Sequence, residues 1–114
     1  MKEKFVECIY KTIVEEDVKI YQELFENTEI KENTPDYWKE AISFYRGCDA
    51  NQREVFRSII RQTIIDTISH VFGVLDGSST LSGGTFDVKV TVDDISTEDE
   101  LQDSFLAYVE EMKR

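Results

Sequence analysis

Residues 52–75, QREVFRSIIRQTIIDTISHVFGVL, are the longest apolar-rich stretch of the chain and lie near its middle. On a helical wheel of about 100° per residue, the apolar side chains cover most of the circumference. Only a narrow stripe at Ser58, Gln62 and Ser69 is free of them. A helix that is apolar on nearly every side is normally enclosed by its neighbours. The stretch therefore predicts a central helix on which the rest of the chain packs.

Two further helices are predicted before this one. Residues 3–26 carry two adjacent rows of apolar side chains at four-residue spacing, and the opposite side is rich in Lys and Glu, as in an amphipathic helix. The second helix is short and dense in aromatic residues, at Tyr37, Trp38, Phe44 and Tyr45. These side chains could pack in the core or form part of a partner surface, where Trp and Tyr are favoured anchors.

The ends of these helices are indicated by capping residues. Thr34 is placed to cap the second helix, with Pro35 at its first position, and Gly47 marks its end. Asp49 followed by Gln52 has the spacing of a capping box, with Asp in the Ser/Thr role, and so predicts the start of the central helix.

After a turn at residues 76–79, the pattern changes to that of a small hairpin. Leu81 lies in a possible short strand, Gly83 and Gly84 predict a tight connection, and residues 85–93 alternate strictly between apolar and polar. The last helix is predicted to start near Thr97, with Glu100 in the capping-box position. The fold class expected is mainly α (α+β): about four helices around a central helix, with one small antiparallel β-hairpin before the last helix, in a single domain of residues 1–114.

The charge balance restricts the partners of the protein. The 114 residues include 24 Asp and Glu but only 13 Lys and Arg, which gives a net charge of -11. This charge argues against nucleic acid and anionic membranes and favours a basic protein partner. No apolar stretch reaches the roughly 18 residues of a membrane span, and no signal peptide is evident, so we expect a cytoplasmic protein. Cys8 and Cys48 lack a metal-binding spacing and are expected to be buried free thiols; no cofactor or metal is indicated.

Carboxylates are most concentrated just before and within the start of the last helix. Six of them fall within eleven residues, at Asp93, Asp94, Glu98, Asp99, Glu100 and Asp103. Their spacing does not match an EF-hand. They could be acids favoured by a helix N-terminus together with a solvated turn, or a docking surface for a basic protein. We take them as the candidate partner-binding residues.

The central helix offers the alternative sites. Arg53, Arg57 and Arg61 form a ladder that could bind a phosphate or carboxylate, or pair with acidic helices. Asp66 and His70 lie four residues apart, a spacing that lets the carboxylate orient an imidazole as a general base. With Thr63 and Thr67 they form a polar set expected to bond to another helix or to the hairpin. A small hydrolase or a ligand-binding regulator is therefore the alternative function. A third alternative is an oligomeric structural protein in which the aromatic second helix is a subunit interface.

The C-terminal third carries a resemblance. The segment HVFGVLDGSSTL at residues 70–81, the alternating strand, and LQDSFLAYVEE at residues 101–111 resemble a pattern in small acidic uncharacterised bacterial proteins. In size and acidity the chain is similar to immunity proteins, which are encoded beside secreted bacterial toxins and neutralise them by binding. The resemblance implies a non-enzymatic protein that binds a toxin domain, and it assigns no functional residues.

Overall fold

The computed structural model describes residues 1–113 as a mainly helical protein with one small antiparallel sheet. In chain order the elements are α1 (Lys2–Ile9), a π-helical segment (Tyr10–Asp17), α2 (Val18–Asn27), α3 (Asp36–Gly47), α4 (Ala50–Asp76), β1 (Thr91–Val92), β2 (Ile95–Ser96) and α5 (Leu101–Met112). The predicted fold class is confirmed, with the two-stranded sheet directly before the last helix. None of the helices within residues 1–113 has the length and apolarity needed to cross a membrane.

The predicted first helix is continuous from α1 to α2, but its middle is π-helical. A π-helix bonds each N–H five residues back instead of four, so its turns are wider than α-helical ones. Of the two apolar rows, the one at Val6, Tyr10 and Val14 is almost fully buried. The other row is only half-buried. The wider turn was not predicted, because apolar periodicity alone does not distinguish α from π geometry over eight residues.

The caps of the middle helices confirm one prediction and correct another. The Asp49 carboxylate accepts from the Gln52 N–H at 2.8 Å, and the Gln52 side chain accepts from the Asp49 N–H at 2.9 Å, so the capping box of α4 is confirmed. Thr34, by contrast, does not cap α3. Its hydroxyl oxygen accepts from the Lys31 N–H at 2.9 Å and closes a turn in the linker instead.

Two separate hydrophobic clusters are joined by α4. The larger one lies between α1, the π-helical segment, the C-terminal half of α4 and α5, and it contains Val6, Tyr10, Val14, Ile65, Phe72, Leu101, Phe105 and Val109. The smaller one lies between α2 and α3, with Phe25, Ile42 and Tyr45 buried and Phe56 of α4 packed against them. Because both clusters include residues of α4, this helix is central to the fold, as predicted.

The predicted enclosure of α4 is wrong. Within α4 only Ile65, Phe72 and Gly73 are buried. Val55 and Ile59 are 52% and 59% exposed. Within residues 1–113, helices cover one side of α4 and leave the other side open. The resulting shape is open: its radius of gyration is 17.6 Å, against about 13 Å for a compact domain of this length.

The hairpin forms at a different place from the one predicted. The ladder pairs Thr91 with Ser96 and Val92 with Ile95. The predicted Gly83–Gly84 connection is reduced to a single isolated bridge. Of the predicted strand at residues 85–93, only the last part pairs. Its side-chain alternation holds for three half-buried valines but fails at Phe86, which is 70% exposed. Alternation indicates which side chains could face a core, but a strand also needs a partner for its backbone.

The last helix begins at Leu101, four residues later than predicted. Glu98 and Asp99 have φ values of 58° and 55°, which are incompatible with a right-handed helix. The expected cap from Thr97 is therefore wrong. The actual cap comes from Asp76 at the end of α4, whose carboxylate accepts from the N–H groups of Leu101 at 3.1 Å and Gln102 at 2.8 Å. This contact fixes the start of α5 against the end of α4.

Candidate protein-binding surfaces

The six carboxylates predicted to bind a partner lie on one short, exposed segment, residues 93–103, which we call the acidic turn. All six side chains are exposed: Asp93, Asp94, Glu98, Asp99, Glu100 and Asp103. The hairpin turn at Asp93 and Asp94 has φ values of 50° and 65°. Positive φ at both central residues is the signature of a type I′ turn, and Asp tolerates it better than most residues. With Glu98 and Asp99, these are the four non-glycine residues at positive φ in residues 1–113.

The acidic turn is held in place by Thr97, which the sequence suggested only as a helix cap. Thr97 is the one buried polar side chain among residues 1–113, with 2% exposure. Both its N–H and its hydroxyl donate to the Val90 carbonyl at 3.1 Å. The Thr97 carbonyl in turn accepts from the Glu100 N–H at 3.1 Å. These bonds fix the backbone between two pairs of residues at positive φ, Asp93–Asp94 and Glu98–Asp99. The carboxylates therefore project from a backbone of defined conformation.

Two lysines neutralise part of the acidic turn. Lys2 Nζ donates to Glu98 at 3.2 Å and lies 3.7 Å from Glu100. The hydrogen bond with Glu98 is the main cause that raises the pKa of Lys2 above its ordinary value of 10.5. Lys89 lies 4.0 Å from Asp99. Within residues 1–113 the other three carboxylates, at Asp93, Asp94 and Asp103, form no ion pair. The segment therefore stays strongly negative.

A second exposed surface, not selected as the site from sequence, lies on α3 and the N-terminal half of α4. Its most exposed side chains are Tyr37 (69%), Phe44 (62%), Val55 (52%) and Ile59 (59%). We call this the apolar face. Exposed single hydrophobic residues are ordinary, but a contiguous group of large ones usually marks an interaction site. The aromatic content of the second helix was the available signal.

Phe44 divides the apolar face into two open grooves. One has a volume of about 670 Å³ and is lined by Tyr21, Phe25, Tyr37, Trp38, Glu40, Ala41, Phe44, Phe56, Ile60 and Ile64. The other has about 630 Å³ and is lined by Ser43, Phe44, Gly47, Cys48, Asn51, Gln52, Val55, Phe56 and Ile59. Glu40 is the one charged residue in the two linings. The face is therefore nearly neutral in a strongly acidic chain.

The arginine ladder is occupied with internal contacts. Arg53 donates to the backbone carbonyls of Tyr45, Cys48 and Arg46 at 3.0 to 3.1 Å, and its guanidinium lies over the Tyr45 ring. Arg57 donates to the Tyr45 hydroxyl at 2.8 Å and lies 3.8 Å from Glu26. These two residues fix the corner between α3 and α4.

The third rung, Arg61, donates to the Tyr10 hydroxyl and thus ties α4 to the π-helical segment. The pairing with acidic helices that the sequence suggested occurs in the Arg57–Glu26 contact; the remaining contacts are with carbonyl oxygens and tyrosine side chains.

Asp66 and His70 are both exposed, together with Thr63 and Thr67. They line a shallow concavity of about 320 Å³. The prediction that this polar set bonds to another element is wrong for three of its members. Gln62 donates to Asp66 at 2.9 Å, and each threonine hydroxyl donates at 2.8 Å to a carbonyl one turn earlier in α4. The reason is that none of the elements within residues 1–113 covers this side of α4. The threonine hydroxyls are engaged with the backbone, and Asp66 is bonded to Gln62.

The cysteines are free, but they are not buried as expected: Cys8 is exposed and Cys48 is half-buried. Within residues 1–113 no group of three or more His, Cys, Asp and Glu side chains is arranged to hold a metal ion. Comparison of the chain with protein-family models, with curated proteins and with solved structures gave no match.

Proposed function

We propose that this protein is a non-enzymatic binding protein whose acidic turn docks on a basic protein partner. The observation that carries the proposal is the projection of six exposed carboxylates from one segment whose backbone is fixed by the buried Thr97. A surface that is already rigid loses less conformational entropy on binding than a mobile loop does. Charge complementarity with a basic surface would steer the encounter and raise the association rate.

An immunity protein that neutralises a bacterial toxin is the most concrete form of this function. A toxin that cleaves nucleic acid must carry a basic substrate groove, since phosphate binding depends on Lys and Arg. The acidic turn would occupy or cover such a groove. Exposed carboxylates and a net charge of -11 suit this role. A toxin gene beside the gene for this protein would favour this form over other basic partners.

The test is affinity purification from the native host with three baits: the wild-type protein and two variants that are expected to keep its fold. The wild-type protein is compared with Asp93→Asn/Asp94→Asn/Asp103→Asn, which removes three charges from the acidic turn. Asn suits positive φ at least as well as Asp, so the backbone of the turn is preserved. The control is a second triple variant that removes three exposed charges elsewhere, at Glu16, Glu23 and Glu29.

We expect a basic protein that is retained by the wild type and the control and lost with the acidic-turn variant. Its affinity should fall steeply as salt is raised, because exposed charge pairs are screened. If no basic protein is recovered, or if both triple variants lose the partner equally, the acidic turn is not the docking site.

A further inference from the structure

We propose that the apolar face on α3 and α4 is a self-association surface, and that two copies of this chain pair through it about a two-fold axis. This proposal concerns a different surface from the acidic turn. The observation behind it is that α4 is apolar on nearly every side, and yet its Val55 and Ile59 side chains are more than half exposed. Side chains of these types are usually inside a fold or an interface.

The shape of the face indicates a second copy. Phe44 protrudes with 62% of its surface exposed, and an open groove of more than 600 Å³ lies on each side of it. A two-fold interface is isologous, so each protrusion of one subunit meets a recess of the other, and the same contact occurs twice. A face with a protruding ring beside recesses of its own supplies both halves of that contact. Phe44 of one subunit would enter a groove of its partner, and the reverse.

The charge of the face fits the same occupant. Two chains that each carry a net charge of -11 repel one another, so a stable pair must bring together surfaces with few carboxylates. The groove beside Val55 has no charged residue in its lining, and the other has only Glu40. A basic partner would instead be expected to bind where the carboxylates are dense. The neutral face therefore suits a second copy better than a basic protein.

The available area is also compatible with a dimer. Since an aromatic side chain can bury 150–250 Å², Tyr37 and Phe44 alone would contribute about 200–330 Å² of the roughly 800 Å² that each partner buries in a standard interface. Val55 and Ile59 add to this, and the groove walls and polar rim can supply the remainder. The face is thus large enough for a specific pair and is led by an aromatic anchor, as interface hot spots usually are.

The test is the mass of the full-length protein in solution, measured by light scattering and sedimentation over a range of concentrations. Interfaces of this size have dissociation constants from micromolar to picomolar. At a protein concentration of roughly 100 μM, which exceeds these values, we expect twice the protomer mass of 13.3 kDa. Phe44→Asp should weaken the dimer by roughly 30-fold or more, as for a hot-spot residue. Ile59→Asp is a second variant, on the other helix of the apolar face and at a side chain that is likewise more than half exposed.

The matched control is Phe86→Asp, which places the same charge at a phenylalanine that is 70% exposed outside the apolar face. It should leave the dimer intact. Higher salt should strengthen the dimer by screening repulsion between like-charged subunits, whereas it should weaken binding of a basic partner to the acidic turn. The two proposals can therefore fail separately. A wild-type protein that is monomeric at roughly 100 μM, or dimers that survive both Phe44→Asp and Ile59→Asp, would overturn the self-association proposal.

Discussion

Removing the carboxylate of Asp76 should destabilise the fold, although this residue belongs to one helix and acts on another. Asp76 is the last residue of α4 and accepts hydrogen bonds from the first two N–H groups of α5, at 3.1 and 2.8 Å. The substitution Asp76→Ala leaves both N–H groups without their acceptor. It also removes the contact that fixes the start of α5 against the end of α4.

The expected loss follows from two opposing effects. Deleting a helix cap costs about 0.5–2 kcal/mol, and the upper end applies because the cap is charged and accepts two bonds. Against this, a negative charge at the C-terminal end of α4 opposes that helix's dipole, so its removal returns about 0.3–1 kcal/mol. We therefore expect Asp76→Ala to lower the free energy of unfolding by about 1.5 kcal/mol. Asp76→Asn keeps one acceptor and should lose about half as much.

Urea unfolding followed by circular dichroism measures this difference. With a slope of about 1–3 kcal/mol per molar urea, Asp76→Ala should move the midpoint down by about 0.5–1.5 M without changing the slope. Protein concentration must be held fixed, because self-association would contribute to the apparent stability. Glu23→Ala serves as the control, since Glu23 is an exposed residue within α2. A change of less than about 0.5 kcal/mol for Asp76→Ala, which is the range of neutral surface substitutions, would refute the proposed role of the cap.

Three further predictions concern the Arg53 guanidinium, the Thr97 hydroxyl and the Glu7–Lys11 ion pair. Arg53→Lys keeps the charge but not the planar fork that reaches three carbonyls, so urea unfolding should show a loss of about 1–2 kcal/mol; an unchanged midpoint would mean that the fork does not matter. Thr97→Val removes only the hydroxyl bond to Val90, and the acidic turn should then exchange its amide hydrogens faster; unchanged exchange would contradict the anchoring role. Lys11 is the main cause that lowers the pKa of Glu7 below 4.5. The stability from this pair is therefore present above pH 4.5 and lost as pH falls through the lowered pKa. NMR titration should show that the pKa of Glu7 rises in Lys11→Met. The rise should be larger than in a variant of Lys4, which lies farther from Glu7.

Local signals in the sequence predicted part of the local structure. The Asp49–Gln52 spacing predicted the start of α4, and the apolar wheel identified α4 as the central helix, which in the structure joins the two clusters. The cap of α5 could not be predicted in the same way, because Asp76 lies 25 residues before the first N–H that it accepts from. Glu100 stood at the right spacing, but the left-handed residues before it prevent a helix from starting at Thr97.

The candidate surfaces show the same division between local and tertiary information. The acidic turn was predictable, since exposed carboxylates close in sequence remain close in space. The apolar face was predictable only in part. The aromatic second helix was considered as a partner surface, but the exposure of Val55 and Ile59 was not predicted, because they are large apolar side chains like the enclosed Ile65 and Phe72. Which of them is covered depends on the neighbours that the rest of the chain supplies.

The open side of α4 and the proposed dimer are consistent with one another. The helical wheel predicts that α4 is enclosed on nearly all sides, but in the monomer only one side of α4 is covered. If a second copy covers the open side of the N-terminal half of α4, the predicted enclosure fails for the single chain and holds for that half of the helix in the pair. The acidic turn lies near the C-terminal end of α4, and Val55 and Ile59 lie in its N-terminal half. At about 1.5 Å per residue the two surfaces are separated by roughly 25–30 Å along the helix, so a dimer can present two acidic turns to basic partners at the same time.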